Sequence, residues 1–378
     1  MQGVDPRFEW TRFILQRQIK VTPKGAVNAL VLAVTLAVVP LAVASCSTSQ
    51  NTPAAQRSPL LAWVATGSYI SEPGDTITPV NTATALPGRP LGTGRLPSAM
   101  AITPNGQELL VTNSGDDTLA VVDLATRRVS ARIRVGLEPD SVAVEPAHSG
   151  SPPIAVVANF GANTVSFVNL QTLRVGKSVP AGNQPDAVAI APGGPRNSGV
   201  ALVADYGSAQ VTPIDLATMQ PQPAIAVGAE PDAIAVYGSH SSSPAFSPTS
   251  PQSTPGAGNV ALVANFGANT ISPISLSSYT TSAQIGLPGD PTAIAIAPTG
   301  TAWVSNSGYI TPIHISTLSV GTSIALSGVA EGLAITPNGH TAWVTLQNGV
   351  VTSLALSSGT IVHNVAVGGR PSAVIVAG

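Results

Sequence analysis

The sequence has 378 residues, of which only 9% are charged and one is a cysteine. Without residues 1–45 the chain holds 11 basic and 16 acidic residues, a net charge of −5. That balance argues against nucleic acid as the main partner, for which a basic surface is expected, and a lone cysteine excludes a disulfide within the chain.

The first predicted element is a signal peptide of the lipoprotein type over residues 1–45. Its residues 26–45, AVNALVLAVTLAVVPLAVAS, are apolar and uncharged, and two lysines precede them, which is the layout of a secretory signal. The segment runs into VASC, which resembles the bacterial lipobox, and the resemblance implies a diacylglycerol on Cys46. The alternative is an uncleaved spanning anchor, for which this apolar length is just sufficient.

A polar tether is predicted after the signal peptide. Residues 46–59, CSTSQNTPAAQRSP, begin with the lipidated cysteine and lack apolar periodicity. Acyl chains contribute about 0.8 kcal/mol per buried CH₂. Lipid on Cys46 would therefore make the membrane a partner and place the protein on the outer face of the bacterial cell membrane or in the cell envelope.

The rest of the chain is built from repeats. A strand phrase with variants such as LLVTNSG, VVANFG and LVADYG occurs seven times, and so does a phrase like PDAVAI. The second phrase begins at Pro97, Pro139, Pro185, Pro231, Pro291, Ala330 and Pro371. The intervals are 42, 46, 46, 60, 39 and 41 residues, and a period of about 40 residues is typical of a propeller blade. The longest interval contains residues 237–259, whose Ser/Pro-rich sequence predicts a disordered surface loop.

The two ends of the repeat region are predicted to share one blade. Each full repeat has four runs rich in Val, Ile, Leu, Thr and Ala, which predict four strands. Residues 60–66 lack the strand that should precede them, and residues 371–376 lack the strands that should follow. Pairing the two segments would close a ring and remove exposed sheet edges. We therefore predict an all-β fold over residues 60–378: a monomeric seven-bladed β-propeller of four-stranded blades, closed by pairing of the C-terminal strand with the first blade.

One blade carries a family resemblance. The order VTNSGDDTLAVVDLATRRVSARIRVGLEPDSVAVEP resembles the YVTN-repeat β-propeller family, and the resemblance extends over almost all of residues 60–378. It implies the propeller fold and no particular ligand.

Acidic and amide side chains recur at loops that should open on one face of the ring, called the upper face. Such a collar would bind a cation, or a positively charged or sugar-like ligand, because acidic rings concentrate cations and hard cations favour several oxygen ligands. The alternative is that each side chain caps its own turn by bonding nearby backbone N–H groups. The candidate ligand-binding residues are Asp140, Asp186, Asp232, Asp290, Glu331, Asn159 and Asn265.

Tryptophans and histidines point to structure more than to chemistry. Trp63, Trp303 and Trp343 occupy a repeat position that elsewhere holds Leu or Val, so we predict packing between blades. The five histidines share no repeat phase and have no close ligand spacing, so the sequence assigns no metal site.

The sequence favours a membrane-anchored extracytoplasmic module that binds or scaffolds without catalysis, with an envelope protein, a glycan or a small ligand as partner. It contains no HExxH, GxSxG, phosphate-loop or paired-cysteine motif, so no catalytic residue is assigned and no cofactor is required. Two alternatives stay open: a lactonase-like hydrolase with a metal site at the upper mouth of the channel, and a purely structural role in the cell envelope.

Overall fold

The repeats form a ring of seven antiparallel sheets. The computed structural model describes residues 59–67, 75–147, 151–192, 198–238 and 259–377. The predicted signal peptide, Cys46, the tether up to residue 58 and nearly all of the predicted loop 237–259 lie outside the described residues. Within the described ranges no helix is long and apolar enough to cross a membrane.

Each blade has four strand positions, and the first strand of each lies at the central channel. Blade 1 consists of β31 (Arg370–Ala377), β1 (Leu61–Gly67), β2 (Thr76–Asn81) and β3 (Leu91–Gly92). Blade 2 consists of β4 (Pro97–Ile102), β5 (Glu108–Asn113), β6 (Thr118–Asp123) and β7 (Arg128–Arg134). Blade 3 consists of β8 (Pro139–Glu145), β9 (Ile154–Asn159), β10 (Thr164–Asn169) and β11 (Arg174–Pro180).

In blades 4 to 6 the outer position is split into two short strands. Blade 4 consists of β12 (Pro185–Ala191), β13 (Val200–Asp205), β14 (Gln210–Asp215), β15 (Gln220–Pro221) and β16 (Ile225–Ala226). Blade 5 consists of β17 (Pro231–Tyr237), β18 (Val260–Asn265), β19 (Thr270–Ser275), β20 (Thr280–Thr281) and β21 (Ile285–Gly286). Blade 6 consists of β22 (Pro291–Ile296), β23 (Thr301–Asn306), β24 (Tyr309–His314), β25 (Ser319–Val320) and β26 (Ile324–Ala325). Blade 7 consists of β27 (Ala330–Ile335), β28 (Thr341–Leu346), β29 (Val350–Ala355) and β30 (Thr360–Ala366).

The ring closes as predicted. Strand β31 pairs antiparallel with β1, with Val374 opposite Val64, and so completes blade 1 from both ends of the repeat region. Closure satisfies the edges that an open array of blades would leave unpaired. Every strand of the seven blades lies between residues 61 and 377, so a fragment that begins at residue 59 contains the whole ring.

The apolar core lies between neighbouring blades. Trp343 of blade 7 packs with Val64 and Val374 of blade 1, and Trp63 packs with Leu109 of blade 2. Trp303 likewise lies in the core shared by blades 6 and 7. The predicted role of the tryptophans in packing between blades is confirmed, and each large apolar side chain buried this way contributes about 1.5–3 kcal/mol.

A β-bulge at the start of each inner strand positions the channel mouth. In blade 4, Pro185 pairs with Asp205 and Ala187 pairs with Ala204, so Asp186 has no partner in the ladder. Bulges re-aim a side chain and are common beside functional sites. The same irregularity follows the first residue of all seven phrases, and the residues that come directly after it are Ser98, Asp140, Asp186, Asp232, Thr292, Glu331 and Ser372.

Candidate functional site at the channel mouth

The seven bulge residues converge on one cavity. It has a volume of about 460 Å³ and lies where the inner strands begin, with every blade contributing to its lining. Small-molecule sites commonly span about 300–1,000 Å³. Three consecutive blades, 3 to 5, supply Asp140, Asp186 and Asp232, whereas blades 1, 2 and 6 supply Ser372, Ser98 and Thr292. The mouth is therefore chemically two-sided although the backbone is repeated.

The three aspartates form a row along the mouth, called here the aspartate row. Asp186 lies between Asp140 and Asp232, and the carboxyl groups are close enough for each to influence the pKa of the next. Each side chain is half-buried, because it faces the cavity on one side and protein on the others. Desolvation raises the pKa of Asp140 and of Asp186, and for Asp186 the neighbouring charges of Asp232 and Asp140 raise it further. Desolvation raises the pKa of Asp232 to about 7. The row therefore holds protons in the neutral range.

Hydroxyl side chains at the same repeat position bond to the inner strand of the next blade. Ser98 Oγ donates to the carbonyl oxygen of Pro139 at 2.9 Å, and Ser372 Oγ donates to that of Pro97 at 2.8 Å. Thr292 Oγ1 donates to the carbonyl of Ala330 at 3.1 Å, so in each case the hydroxyl holds the first residue of the next inner strand. A hydroxyl can make this bond at any pH, whereas a carboxyl group can make it only while it is protonated. A structural role shared around the ring accordingly accounts for the serines and the threonine and leaves the aspartates unexplained.

An ion pair lies across the mouth from the row. Arg370 Nη2 lies 2.6 Å from Glu331 Oε1, and Gln347 donates to the same oxygen. Sequence reasoning included Glu331 and missed Arg370, which lines the cavity. The available signal was its position: Arg370 directly precedes Pro371, where the phrases of blades 3 and 5 have a glutamate.

The remaining candidates lie elsewhere. Asn159 is fully buried: its Oδ1 accepts from the N–H of Gly136 at 3.1 Å and its Nδ2 donates to Ser166 Oγ at 2.9 Å. Asn265 makes the equivalent bonds within blade 5. Asp290 accepts from Ser307 Oγ at 3.0 Å and is not among the residues that line the cavity. Thr292, two positions later, occupies the position that the aspartates hold in blades 3 to 5.

Aromatic side chains mark the same three blades. Phe160, Tyr206 and Phe266 stand at one loop position on the upper face and are half-buried, whereas blades 2, 6 and 7 have Ser or Gln there. The rings of Phe160 and Tyr206 lie 6.3 Å apart between centroids. Desolvation, together with the nearby Glu230 carboxylate, raises the pKa of Tyr206 to about 12. The motifs ANFG and ADYG carry this signal in the sequence, and they occur only in the blades that also bear the aspartates.

The upper face is strongly acidic. Eleven acidic side chains and two arginines of the described residues lie on its loops and at the mouth, and clefts lined by one sign of charge raise the local concentration of opposite ions. The acidic residues are Asp75, Asp116, Asp117, Glu138, Asp140, Asp186, Asp205, Glu230, Asp232, Asp290 and Glu331, and the basic ones are Arg95 and Arg370. Across the described ranges no group of three or more His, Cys, Asp or Glu side chains is arranged to hold a metal ion.

Comparison with known proteins supports a propeller family. A family model described as YNCE-like beta-propeller matches residues 25–151, about a third of the chain. None of the curated proteins compared with the chain matches it.

Solved structures share the fold at low sequence identity. The hydrazine synthase of Kuenenia stuttgartiensis is 18% identical with a TM-score of 0.60, covering 73% of this chain and 88% of that one. A functionally unknown protein from Desulfotomaculum acetoxidans DSM 771 is 16% identical with a TM-score of 0.68, covering 84% and 98%. The dihydro-heme d1 dehydrogenase NirN, in complex with DHE, is 16% identical with a TM-score of 0.57, covering 84% and 74%. Likeness at these identities shows the fold alone.

Proposed function

We propose that this chain is a lipid-anchored, extracytoplasmic propeller of the YVTN-repeat type that binds a cationic organic ligand at its channel mouth without catalysing a reaction. One observation carries the binding role. Aspartates at the bulge position and aromatic rings at the loop position are both confined to blades 3 to 5, whereas the one other carboxyl at the bulge position, Glu331 of blade 7, is paired with Arg370. A role in folding would repeat around the ring, whereas a ligand needs such a combination on one side only.

The chemistry of these blades suits an organic cation. Phe160, Tyr206 and Phe266 are not among the residues that line the cavity, so their ring faces would attract a cation on the upper face outside it, whereas the aspartate row supplies negative charge inside the cavity as it ionises. A cavity of about 460 Å³ accommodates a small amine or the guanidinium end of a longer ligand. Because amines stay protonated well above pH 7 while Asp232 loses its proton near that pH, affinity should rise as the pH increases through about 7.

The binding role is tested by calorimetry on residues 59–378 with spermidine and with arginine amide as probes. Asp186→Asn removes the central carboxyl of the row and should weaken binding roughly tenfold or more, since a charge-assisted hydrogen bond contributes about 1.5–3 kcal/mol. Asp290→Asn is the matched control, because it removes one negative charge from the same face outside the cavity. Equal affinity in both variants, or no binding of either probe to the wild type, would overturn the proposal.

The anchoring is supported by the sequence of residues 26–45, which are apolar, and by Cys46 at their end. In a bacterial host the full chain should incorporate labelled fatty acid and partition with membranes. Cys46→Ser should abolish the label, and Ser45→Ala, with a small residue retained, should keep it. Labelling that survives the cysteine substitution would refute lipidation without affecting the binding role.

A further inference from the structure

Basic side chains form a flank on the outer side of blades 1 to 3, called here the basic flank. Its members are exposed and lie on the outer strands β7 and β11 or in the loops that precede the outer strands, away from the channel mouth. They are Arg89, Arg127, Arg128, Arg132, Arg134, Arg174 and Lys177. Strands β7 and β11 are neighbours, and Arg132 Nε donates to the carbonyl oxygen of Thr93 in blade 1 at 2.8 Å, so the three blades present one continuous surface.

The charges of the described residues are strongly segregated. Among the described residues below the upper face, blades 4 to 7 have no Lys or Arg. Every described Lys and Arg in that part of the ring therefore belongs to the basic flank. No flank cation forms an ion pair within the described ranges. Three acidic side chains lie in the same part of blades 1 to 3: Glu108 is half-buried, Asp123 accepts hydrogen bonds from Thr126, and Glu145 is buried. The seven cations of the flank outnumber them. The flank therefore carries a net positive potential beside an otherwise acidic ring.

Protection of sheet edges does not explain this pattern. Charged residues on an edge strand prevent pairing with other chains, but either sign of charge would serve. Edge strand β30 in blade 7 has no Lys, Arg, Asp or Glu, and its Ile361 and Val362 are exposed. This protein thus leaves one long edge without charges and places only cations on β7 and β11, which favours a polyanionic partner for that flank.

We propose that the basic flank docks on the anionic lipid headgroups of the membrane that anchors the chain. The first described strand, β1, begins at Leu61 in blade 1, which is one of the three blades of the basic flank, and thirteen residues separate Cys46 from position 60. Those thirteen residues extend at most about 43 Å at roughly 3.3 Å each, which keeps the propeller close to a membrane held at Cys46. Anionic surfaces attract basic side chains within a Debye length. The choice of a membrane over another polyanion rests on the proposed anchoring, whereas the affinity for anionic headgroups does not.

The test uses residues 59–378, which contain the whole ring, and co-sedimentation with vesicles of phosphatidylcholine with or without phosphatidylglycerol. Binding should require phosphatidylglycerol and weaken as salt is added. The triple variant Arg128→Gln, Arg134→Gln, Arg174→Gln should bind roughly a hundredfold more weakly, at about fivefold per basic residue near the surface. These three side chains are exposed, so the fold should persist, as thermal unfolding would verify. The matching triple substitution to Lys keeps the charge and should bind within a few-fold of wild type.

Other outcomes would overturn the proposal. Equal binding to vesicles without phosphatidylglycerol, or undiminished binding by the Gln variant, would remove the electrostatic basis. Retention on heparin without binding to phosphatidylglycerol vesicles would reassign the flank to a soluble polyanion. The proposed ligand site is tested independently, because the Gln variant should bind spermidine like wild type and Asp186→Asn should still bind vesicles.

Discussion

Asp140 and Asp186 occupy the same position in neighbouring blades, and their carboxyl groups face one cavity close enough to influence each other's pKa. Two neighbouring carboxyl groups with little access to water disfavour each other's ionised form. The aspartate row is therefore less charged near neutrality than its composition suggests. Its protonation links the stability of the ring to pH.

The first prediction concerns that link. Desolvation raises the pKa of Asp232 from 3.8 to about 7, so between these values the folded protein binds more protons than the unfolded chain. Protonation of Asp232 therefore stabilises the folded state relative to the unfolded chain. This contribution to the free energy of unfolding is fully present below about pH 4 and is lost as the pH rises through about 7. Asp232→Asn should therefore raise the free energy of unfolding at pH 8 by roughly 2 kcal/mol and leave it nearly unchanged at pH 4. Denaturant unfolding at the two pH values measures this, and a variant that is equally stabilised at both would contradict the assignment.

The ion pair between Arg370 and Glu331 should affect the net charge of the channel mouth more than the free energy of unfolding. The Arg370 side chain is 48% exposed, and Glu331 keeps its bond from Gln347, so Arg370→Gln should change the free energy of unfolding by about 1 kcal/mol or less. Loss of the guanidinium makes the mouth more negative. Spermidine should consequently bind several-fold more tightly to the variant, as titration calorimetry would detect. Arg95→Gln, on the same face outside the cavity, should leave the affinity closer to that of wild type.

Asp205 provides a natural counterpart to the buried asparagines. It occupies the position of Asn159, and it accepts from the N–H of Gly182 at 3.0 Å and from Thr212 Oγ1 at 2.6 Å. Desolvation raises its pKa to about 6. Asp205→Asn removes a poorly solvated charge and should stabilise the fold at pH 8 by about 2 kcal/mol, with little change at pH 4.

The reciprocal substitution is the control. Asn159→Asp should destabilise the fold at pH 8, because it puts a carboxylate among groups that an amide already satisfies. Neither variant should alter spermidine binding, since neither residue lines the cavity. If folded Asn159→Asp protein bound spermidine more weakly than wild type, Asn159 would have to be counted as part of the ligand site.

The fold was predictable from the sequence because each blade of a propeller corresponds to one sequence repeat. Phrases such as PDAVAI fixed the number of blades, and the unmatched strands at residues 60–66 and 371–376 fixed the closure, which the pairing of β1 with β31 confirms. A repeat of about 40 residues made of short strands has few other solutions.

The site was only partly predictable, because alignment of repeats hides what differs between them. The bulge after Pro185 is a feature of backbone pairing, and the sequence alone does not show that it turns Asp186 toward the axis. Asp290 was a candidate for its chemistry, although Thr292 has the matching position. Arg370 lines the mouth although it does not occupy the repeat position that the aspartates share. Convergence of different repeat positions on one cavity depends on three-dimensional geometry, which the repeat pattern does not encode.

The closure itself gives the last prediction. A chain that ends at Gly369 lacks β31, so β1 loses the partner that places Val374 opposite Val64, and the apolar contacts of Ile375 and Val376 are lost as well. Blade 1 would then have no inner strand, and the core between blades 7 and 1 would be open to water. Thermal unfolding should show a fall in Tm of roughly 10 °C or more, or loss of a cooperative transition. A chain shortened only by Gly378 keeps all of β31 and should melt like wild type. If the two truncations unfolded at the same temperature, β31 would not be what holds the ring closed.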